Sequence, residues 1–296
     1  MKIRTLVCAL SFLPLFAFGQ EGAKTLAVDR VEATPSVRES VRAAGTENTL
    51  NRIVQATDGQ LMDRLHNTRR FDLFARSELD RVLKEQDLAE SGNLDPNDPN
   101  TARSFSMAGV QYIVTTTIDD FQDHTETATF EAIGRTATRR VLRLSAVTRM
   151  YDSTTGRLLE SANFQISDRD VREEPAYQSI STGDLSDEMI VLLSRKMSQK
   201  VADRVLDVLY PARVVGKTGQ VITLNRGDGT DIETGEEWII YALGEEMIDP
   251  DTGRSLGQEE IEIGKIRITQ VLPQVSRGVA IEDFGIERNQ IARRAP

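Results

Sequence analysis

Two stretches of the chain repeat apolar residues at the spacing that places them on one face of a helix. In residues 48–68 the repeated positions are Leu50, Ile53, Val54, Leu61 and Leu65. In residues 185–209 the repeated positions are Met189, Leu193, Met197, Val201 and Val205. Both stretches are therefore predicted to be amphipathic helices, and Pro211 is predicted to end the second. Residues 32–47 are mostly polar and are predicted to be a loop.

Between these helices the chain alternates apolar and polar residues, which is the pattern of strands with one buried face. Strands are predicted at residues 24–31, 71–76, 112–121, 140–151 and 156–167. The turn sequence DSTTG joins the last two into a hairpin. Ser77 and Asp80 resemble a capping box and predict a helix that reaches Gln86, followed by a loop and a short helix ending near Gly109. These elements predict an α/β (α+β) domain with a mixed sheet flanked by helices.

After Pro211 the pattern changes to short alternating stretches separated by turns that contain glycine. Strands are predicted at residues 212–217, 221–225, 237–243, 260–270 and 277–282. The apolar phase shifts between Ile263 and Ile266, which predicts a bulge at Gly264. Short strands at close spacing predict a small all-β domain, either barrel-like or a sandwich. The predicted order is a signal peptide at 1–19, the α/β domain at 20–211, the β-domain at 212–288 and a tail at 289–296.

The first twenty residues have the composition of a secretory signal peptide. Lys2 and Arg4 precede an apolar run, and small residues stand before Gln20, so that cleavage is expected near Gly19 and Gln20. The run is too short to span a bilayer as a stable helix, and no later segment is predicted to be a transmembrane helix. The mature chain is expected in the periplasm, with association with the outer membrane as the alternative.

Charge and cysteine content exclude several classes of function. The chain has 46 acidic and 36 basic residues and a net charge of −10. Because it is acidic and lacks a basic block, binding to nucleic acid is not expected. The only cysteine, Cys8, lies in the predicted signal peptide. The exported chain would then have no thiol, which excludes disulfides, thiolate nucleophiles and cysteine metal sites.

No group of residues has the pattern of an active site, and no catalytic residue, cofactor site or metal site is predicted. The segment from Asp228 to Glu237 concentrates carboxylates that could hold a cation. Its spacing differs from that of an EF-hand loop and favours a solvated turn. The two histidines, His66 and His124, have no nucleophile or ligand pattern nearby and are predicted to be exposed.

Three aromatic residues are candidates for a surface that contacts a partner: Trp238, Tyr241 and Phe130. Trp238 stands beside Ile239 and Ile240 in a predicted strand. Core packing is therefore the simpler interpretation of Trp238, and contact with a partner is the second.

Several local strings resemble the CsgG-like family of curli assembly and transport proteins. They are RFDLFARSELDRVLKEQ at residues 70–86, AGVQYIVTTTIDDF at 108–121 and DSTTGRLLESANF at 152–164. The segment NRGDGTDIETGEEWIIYALGEEMIDPDTGRSLG, at 225–257, resembles the small C-terminal β-domain of the flagellar-assembly FlgT proteins. The resemblance implies a non-catalytic envelope protein such as a secretion channel, a ring around a machine or an activator of peptidoglycan synthases.

The sequence departs from the CsgG pattern in two respects. CsgG channels are lipid-anchored through a cysteine, where this chain has Gln20, and each subunit crosses the membrane with two hairpins. Membrane strands need about 9–11 residues that alternate apolar with polar side chains. The corresponding segments here are 125–138, with few apolar residues, and 165–177, which is rich in charged residues. A pore of the CsgG type is therefore disfavoured.

The predicted function is that of a non-enzymatic exported envelope protein. It would act as an oligomeric scaffold or assembly component for a cell-envelope or secretion machine. The expected partners are further copies of the chain, other envelope proteins or both. The alternatives are a subunit of an outer-membrane secretion pore and a regulator of peptidoglycan synthesis. An enzyme that works through Asp and Glu alone is a further hypothesis, for which no carboxylate pair stands out.

Overall fold

The computed structural model describes residues 23–75, 109–130, 135–172, 185–230, 232–251, 253 and 255–295. The predicted signal peptide, the helix predicted after Ser77 and the loop and short helix predicted before Gly109 lie outside this part of the chain. Residues 24–210, here called the α/β domain, form a mixed sheet with helices, and residues 212–295, called the β-domain, form a separate antiparallel sheet. The predicted fold class, α/β followed by all-β, is confirmed.

The sheet of the α/β domain has the strand order β3-β1-β4-β5-β6, with the short β2 paired to β4. Its strands are β1 (Lys24–Val28), β2 (Glu32–Ala33), β3 (Phe71–Ala75), β4 (Tyr112–Phe130), β5 (Arg135–Asp152) and β6 (Leu158–Ser167). β1 pairs in parallel with β3 and β4, whereas β4, β5 and β6 pair antiparallel. The described helices are α1 (Pro35–Ala44), α2 (Glu47–Asn67), α3 (Asp168–Arg172) and α4 (Leu185–Leu209).

Helices α2 and α4 pack against each other and bury the apolar stripes that were predicted for them. The buried side chains are Leu50, Ile53, Leu61 and Leu65 of α2 and Met189, Leu193, Met197, Val201 and Val205 of α4. Small side chains bring the two helices close together. The Ser198 hydroxyl lies within 2.9 Å of the Thr57 carbonyl of α2 and of the Ser194 carbonyl of its own helix. Both predicted helices are confirmed, and α4 ends at Leu209, two residues before Pro211.

The loop predicted at residues 32–47 is wrong, because these residues form β2 and α1. Thr34 caps α1, since its hydroxyl oxygen accepts a hydrogen bond from the Val37 amide at 3.4 Å. Pro35 follows in the first turn, where the missing N–H has no helical partner to lose. Val37 and Val41, one turn apart, are the buried residues of the helix. Two apolar positions among polar residues are a weak periodic signal, and the Thr-Pro pair was the stronger one.

Strands β4 and β5 extend further than predicted and form one long hairpin. They pair from Tyr112 opposite Asp152 to Phe130 opposite Arg135. The neighbouring strand β6 accompanies β5 only as far as Arg143. Beyond that point residues 123–130 and 135–142 pair only with each other within the described sheet, and this segment is called the β4–β5 ribbon.

The β-domain consists of six strands in the order β12-β9-β10-β11-β8-β7. They are β7 (Val214–Thr218), β8 (Val221–Leu224), β9 (Glu237–Ile248), β10 (Ser255–Val271), β11 (Ser276–Asp283) and β12 (Ile291–Arg294). The two edges of the sheet meet: Arg213 and Ile291 form a bridge, and backbone hydrogen bonds join Ala212 and Val214 to residues 289–292. The described strands therefore form a strongly curled, barrel-like sheet, as predicted, although no ladder between β7 and β12 closes it.

Gly264 allows a bulge at the predicted place. The register between β9 and β10 shifts between Glu262 and Gly264. A Cβ atom on Gly264 would lie 2.5 Å from the Glu282 carbonyl oxygen and 2.7 Å from Ile286 Cδ1. Residues 291–294, which fall in the range predicted to be a tail, form β12 and pair with β9.

The first and last segments of the α/β domain are hydrogen-bonded to each other. The Lys24 amide donates to the Tyr210 hydroxyl at 2.9 Å, and Lys24 Nζ donates to the Leu209 carbonyl at 2.7 Å. The Lys24 ammonium also lies over the Tyr210 ring, 4.7 Å from its centre. The end of α4 is thereby held against the start of β1.

Candidate functional site

The junction between the two domains is formed by residues 225–230, which follow β8 and include the start of the acidic segment from Asp228 to Glu237. Arg70 of the α/β domain donates two hydrogen bonds to carbonyls of the β-domain, at 2.5 Å to Asn225 and 2.8 Å to Gln274. Gly229 adopts a φ of 80°, and a Cβ atom there would lie 2.6 Å from the Asn67 carbonyl oxygen. Only glycine combines this conformation with so close an approach. The NRGDG sequence is thus fitted to the end of α2.

An ion pair between a buried arginine and a partly exposed aspartate crosses the same junction in the opposite direction. Arg226 of the β-domain keeps 3% of its side-chain exposure and contacts Asp207 of α4 at 2.6 Å. Burial lowers the pKa of Arg226, and the neighbouring Asp207 opposes that shift. Burial also raises the pKa of Asp207, although Arg226 opposes the rise and more than half of the Asp207 side chain is open to solvent. Because the desolvation of Arg226 opposes the attraction between the two charges, the pair specifies geometry more than it adds stability.

A cavity of about 360 Å³ lies beside this ion pair, between α4 and β12. Its apolar wall includes Leu206, Pro211 and Ile291, and its charged wall includes Asp203 and Arg226. Its size falls in the range of small ligand sites, which often lie between domains. Within the described residues no cluster of His, Cys, Asp and Glu has the arrangement of a metal site.

The aromatic residues predicted for a partner surface lie in three different environments. Trp238 on β9 keeps 6% exposure in the core of the β-domain, and its indole N–H donates to Glu236 at 3.2 Å. Tyr241 is half-buried on the opposite face of the same strand and pairs with Ile291 of β12. Phe130 is the last residue of β4, at the tip of the β4–β5 ribbon. The structure does not bring the three together, and their partner role stays a prediction.

The acidic segment from Asp228 to Glu237 separates into groups with different surroundings. Asp228 and Glu233 line a second cavity, of about 480 Å³, that also contains Asp63 and Arg195 of the α/β domain. Glu236 pairs with Arg294 at 2.9 Å. Because its described carboxylates are divided in this way, they do not converge on one point.

The β4–β5 ribbon is polar along the part whose side chains are described. Asp123 and Arg140 form a two-pronged ion pair at 2.7 and 2.6 Å across the ribbon. His124 to Thr127 are exposed, and His124 Nε2 lies 3.6 Å from a Glu126 carboxylate oxygen. His66 is exposed as well, so that the prediction for both histidines is confirmed.

Comparison with known families finds a match, which lies within the α/β domain. Residues 35–172 match the family model described as curli production assembly/transport component CsgG. This region is similar to the CsgG family. The predicted resemblance to CsgG is confirmed over this range, whereas the likeness of the β-domain to FlgT stays a prediction. No curated protein matches the sequence.

Several solved structures are similar to this chain at low identity. The hypothetical protein CT253 from Chlamydia trachomatis is 10% identical over 63% of this chain and 98% of its own, with a TM-score of 0.34. Lipoprotein GNA1162 from Neisseria meningitidis is 14% identical over 58% and 97%, with a TM-score of 0.26. A PelC dodecamer from Paraburkholderia phytofirmans is 11% identical over 60% and 85%, with a TM-score of 0.29.

None of the helices in the described part of the chain combines the length and apolar composition that a membrane crossing requires. The junction residues Arg70, Arg226 and Asp207 were missed from the sequence, since an isolated arginine or aspartate gives no periodic signal. The glycines flanking Asp228 in the NRGDG sequence were the available hint, because closely spaced glycines mark close backbone approach.

Proposed function

We propose that the chain is a non-enzymatic component of the bacterial cell envelope that acts in the periplasm as an oligomeric scaffold for an assembly or secretion machine. The observation that carries this proposal is the match of residues 35–172 to the family of a curli assembly and transport component. The signal-peptide pattern of residues 1–20 supports the location.

The chemistry of the junction supports a role other than catalysis. Strongly perturbed titratable groups in a cleft are often catalytic, but ion pairs that organise structure perturb pKa values as well. Here the perturbed groups Arg226 and Asp207 contact each other and join two domains. Because Arg226 and Asp207 are engaged with each other, they hold the two domains together. This is the role expected in a protein that fixes the relative position of its surfaces.

The β4–β5 ribbon is the surface that we assign to contact between copies. A two-stranded ribbon is only marginally stable by itself in water, so eight residue pairs beyond β6 would be stabilised by a neighbouring subunit. The Asp123–Arg140 pair keeps the base of the ribbon in register. Contact between the ribbon of one copy and another part of the next would generate a ring or a filament.

Light scattering on the purified chain from Gln20 to Pro296 tests the scaffold, and a mass of several subunits is expected. Arg140→Glu places a carboxylate diagonally across from Asp123 and is expected to reduce the mass while the helical circular dichroism is retained. Arg149→Glu is the matched control, because Arg149 is exposed on the same strand outside the ribbon. A monomer at all concentrations, supported by the absence of crosslinked species in cells, would overturn the proposal. Partition into detergent with the membrane fraction would favour the pore alternative.

A further inference from the structure

The hairpin of β9 and β10 projects beyond the sheet of the β-domain. Strand β12 accompanies β9 only to Tyr241, and β11 accompanies β10 only from Gly264. Residues 242–263, called the β9–β10 arm, therefore lie beyond β11 and β12 and pair within the β9–β10 hairpin, with Glu262 opposite Tyr241 at the base. The seven residues of β9 in the arm extend about 24 Å at the usual rise of a strand.

The arm exposes large apolar side chains to solvent. Leu243, Met247, Ile248 and Ile261 keep between 38% and 52% of their exposure. Leu243 stands opposite Glu260, and Ala242 stands opposite Ile261. Because directly opposed residues share a face, each face of the arm sets an apolar side chain beside or close to carboxylates. Apolar side chains on a ribbon with no third strand mark a contact surface more often than scattered exposed residues do.

The charge of the arm indicates what would cover it. Residues 242–263 contain seven carboxylates and one basic residue, Arg254. The carboxylates are Glu245, Glu246, Asp249, Asp251, Glu259, Glu260 and Glu262. The remainder of the β-domain has eight acidic and nine basic residues. The acidic character of the β-domain therefore lies in the arm.

The arm is also positioned by a defined contact at its base. Glu260 accepts two hydrogen bonds from Arg293 of β12, at 2.8 and 2.5 Å. These hydrogen bonds lower the pKa of Glu260. The ion pair ties the arm to the edge of the sheet and fixes its direction.

We propose that the β9–β10 arm is a docking surface for a cationic protein segment that alternates basic with apolar residues. The basic side chains would meet the arm carboxylates, and the apolar ones would cover Met247 and Ile261, which share one face of the arm. The arm of a second copy does not fit, because it would place like charges opposite each other. The proposal rests on the scaffold function, since it supplies the scaffold with a partner other than a further copy.

Fluorescence anisotropy with three labelled twelve-residue peptides tests the arm. One alternates Lys with Val, one alternates Glu with Val, and one alternates Lys with Ser. The Lys-Val peptide is expected to bind the full mature chain at least ~10-fold more tightly than either of the others, and to weaken as salt is added. Equal binding of the Lys-Val and Glu-Val peptides would overturn the proposal.

Substitutions distinguish peptide binding at the arm from a general effect of the net negative charge of the chain. The double substitution Glu245→Lys/Glu246→Lys is expected to weaken the binding of the Lys-Val peptide about 10-fold. Met247→Ser/Ile261→Ser tests the apolar contribution and is expected to weaken it about fivefold. The matched control is Glu39→Lys/Glu188→Lys, which makes the same charge change at exposed positions of the α/β domain.

The outcomes distinguish the arm from the scaffold. If the control variant weakens binding as much as the arm variants do, binding depends on net charge alone, and the proposed docking surface is overturned. Loss of the oligomer in the arm variants would show that the arm contacts a second copy, which would also overturn it. A monomeric wild-type chain that binds the Lys-Val peptide through the arm would refute the scaffold and leave the arm intact. Trp238 fluorescence, compared with the wild type, checks that each variant is folded.

Discussion

The two domains bury their cores in different ways. In the α/β domain the core joins elements far apart along the chain, such as α2 and α4, around a sheet that includes parallel pairs. In the β-domain it consists of neighbouring antiparallel strands and a smaller set of side chains around Trp238 and Ile266. The contact between the domains uses Arg70 and Arg226, each hydrogen-bonded across the junction. Two apolar cores connected by polar groups should respond separately to changes inside either core.

The largest effect is expected in the core of the α/β domain. Leu193→Ala removes a side chain with no solvent exposure and should lower the free energy of unfolding by about 2–5 kcal/mol. Urea unfolding followed by circular dichroism at 222 nm measures it, because the described helices all lie in this domain. Val191→Ala on the same helix is the control, since Val191 is 41% exposed. Equal losses in the two variants would contradict the assignment of the buried face.

A smaller effect is expected when the β-domain is changed. Gly264→Ala forces a Cβ atom against the Glu282 carbonyl and Ile286, and should cost about 1–3 kcal/mol. Trp238 is the only tryptophan of the chain, so its fluorescence reports on this domain alone. Gly216→Ala is the control, because the nearest atom to its Cβ would lie 3.9 Å away. If the helical signal fell as much as the fluorescence signal, the two cores would not be separate.

The junction should contribute less than either core. Arg70→Ala leaves the carbonyls of Asn225 and Gln274 without their donor and should cost about 1–2 kcal/mol. The helical and fluorescence transitions should then separate further along the urea axis. Arg288→Ala, at an exposed position of the β-domain, is expected to leave both transitions unchanged. Coincident transitions in Arg70→Ala would show that the Arg226–Asp207 pair is enough to couple the domains.

The smallest effect is expected in the stability of the β-domain at acidic pH. The Lys217 ammonium and two backbone amides lower the pKa of Asp283 to about 2. Because the pKa is lower in the folded state than its ordinary 3.8, the stabilisation is present above pH 3.8 and is lost as the pH falls towards about 2. In Asp283→Asn this part of the pH dependence should disappear. Trp238 fluorescence between pH 2 and 5 measures it, and an unchanged profile would remove Asp283 as its source.

Elements with strong local patterns were predicted from the sequence, and those that depend on distant partners were not. The repeated apolar residues of α2 and α4 and the phase shift at Gly264 gave correct predictions, because each is encoded within a few turns or strand residues. Helix α1 has only Val37 and Val41 as buried residues, and its cap was overlooked. The length of β4 and β5 beyond β6 was indicated only by the resemblance to CsgG, which placed a hairpin segment at 125–138, since polar alternation there is also typical of a loop.

The candidate surfaces were predicted less completely than the fold. Trp238 was identified as a core residue or a contact residue, and its burial is consistent with the first interpretation. The contacts of Arg70 and Arg226 are formed between residues that are distant in sequence, as between Arg70 and Gln274. Sequence periodicity describes one element at a time, so it does not reveal which charged side chains meet across a junction.

The hydrogen bonds between Lys24 and Tyr210 place the entry and exit of the α/β domain side by side. A domain whose ends meet can be joined through a short linker and opened elsewhere without breaking its core. A circular permutant that connects residue 210 to residue 24 and begins in the turn at Thr154 and Thr155 should keep all the strand pairs of the sheet. The same arrangement allows this domain to be inserted between other domains of a longer chain during evolution.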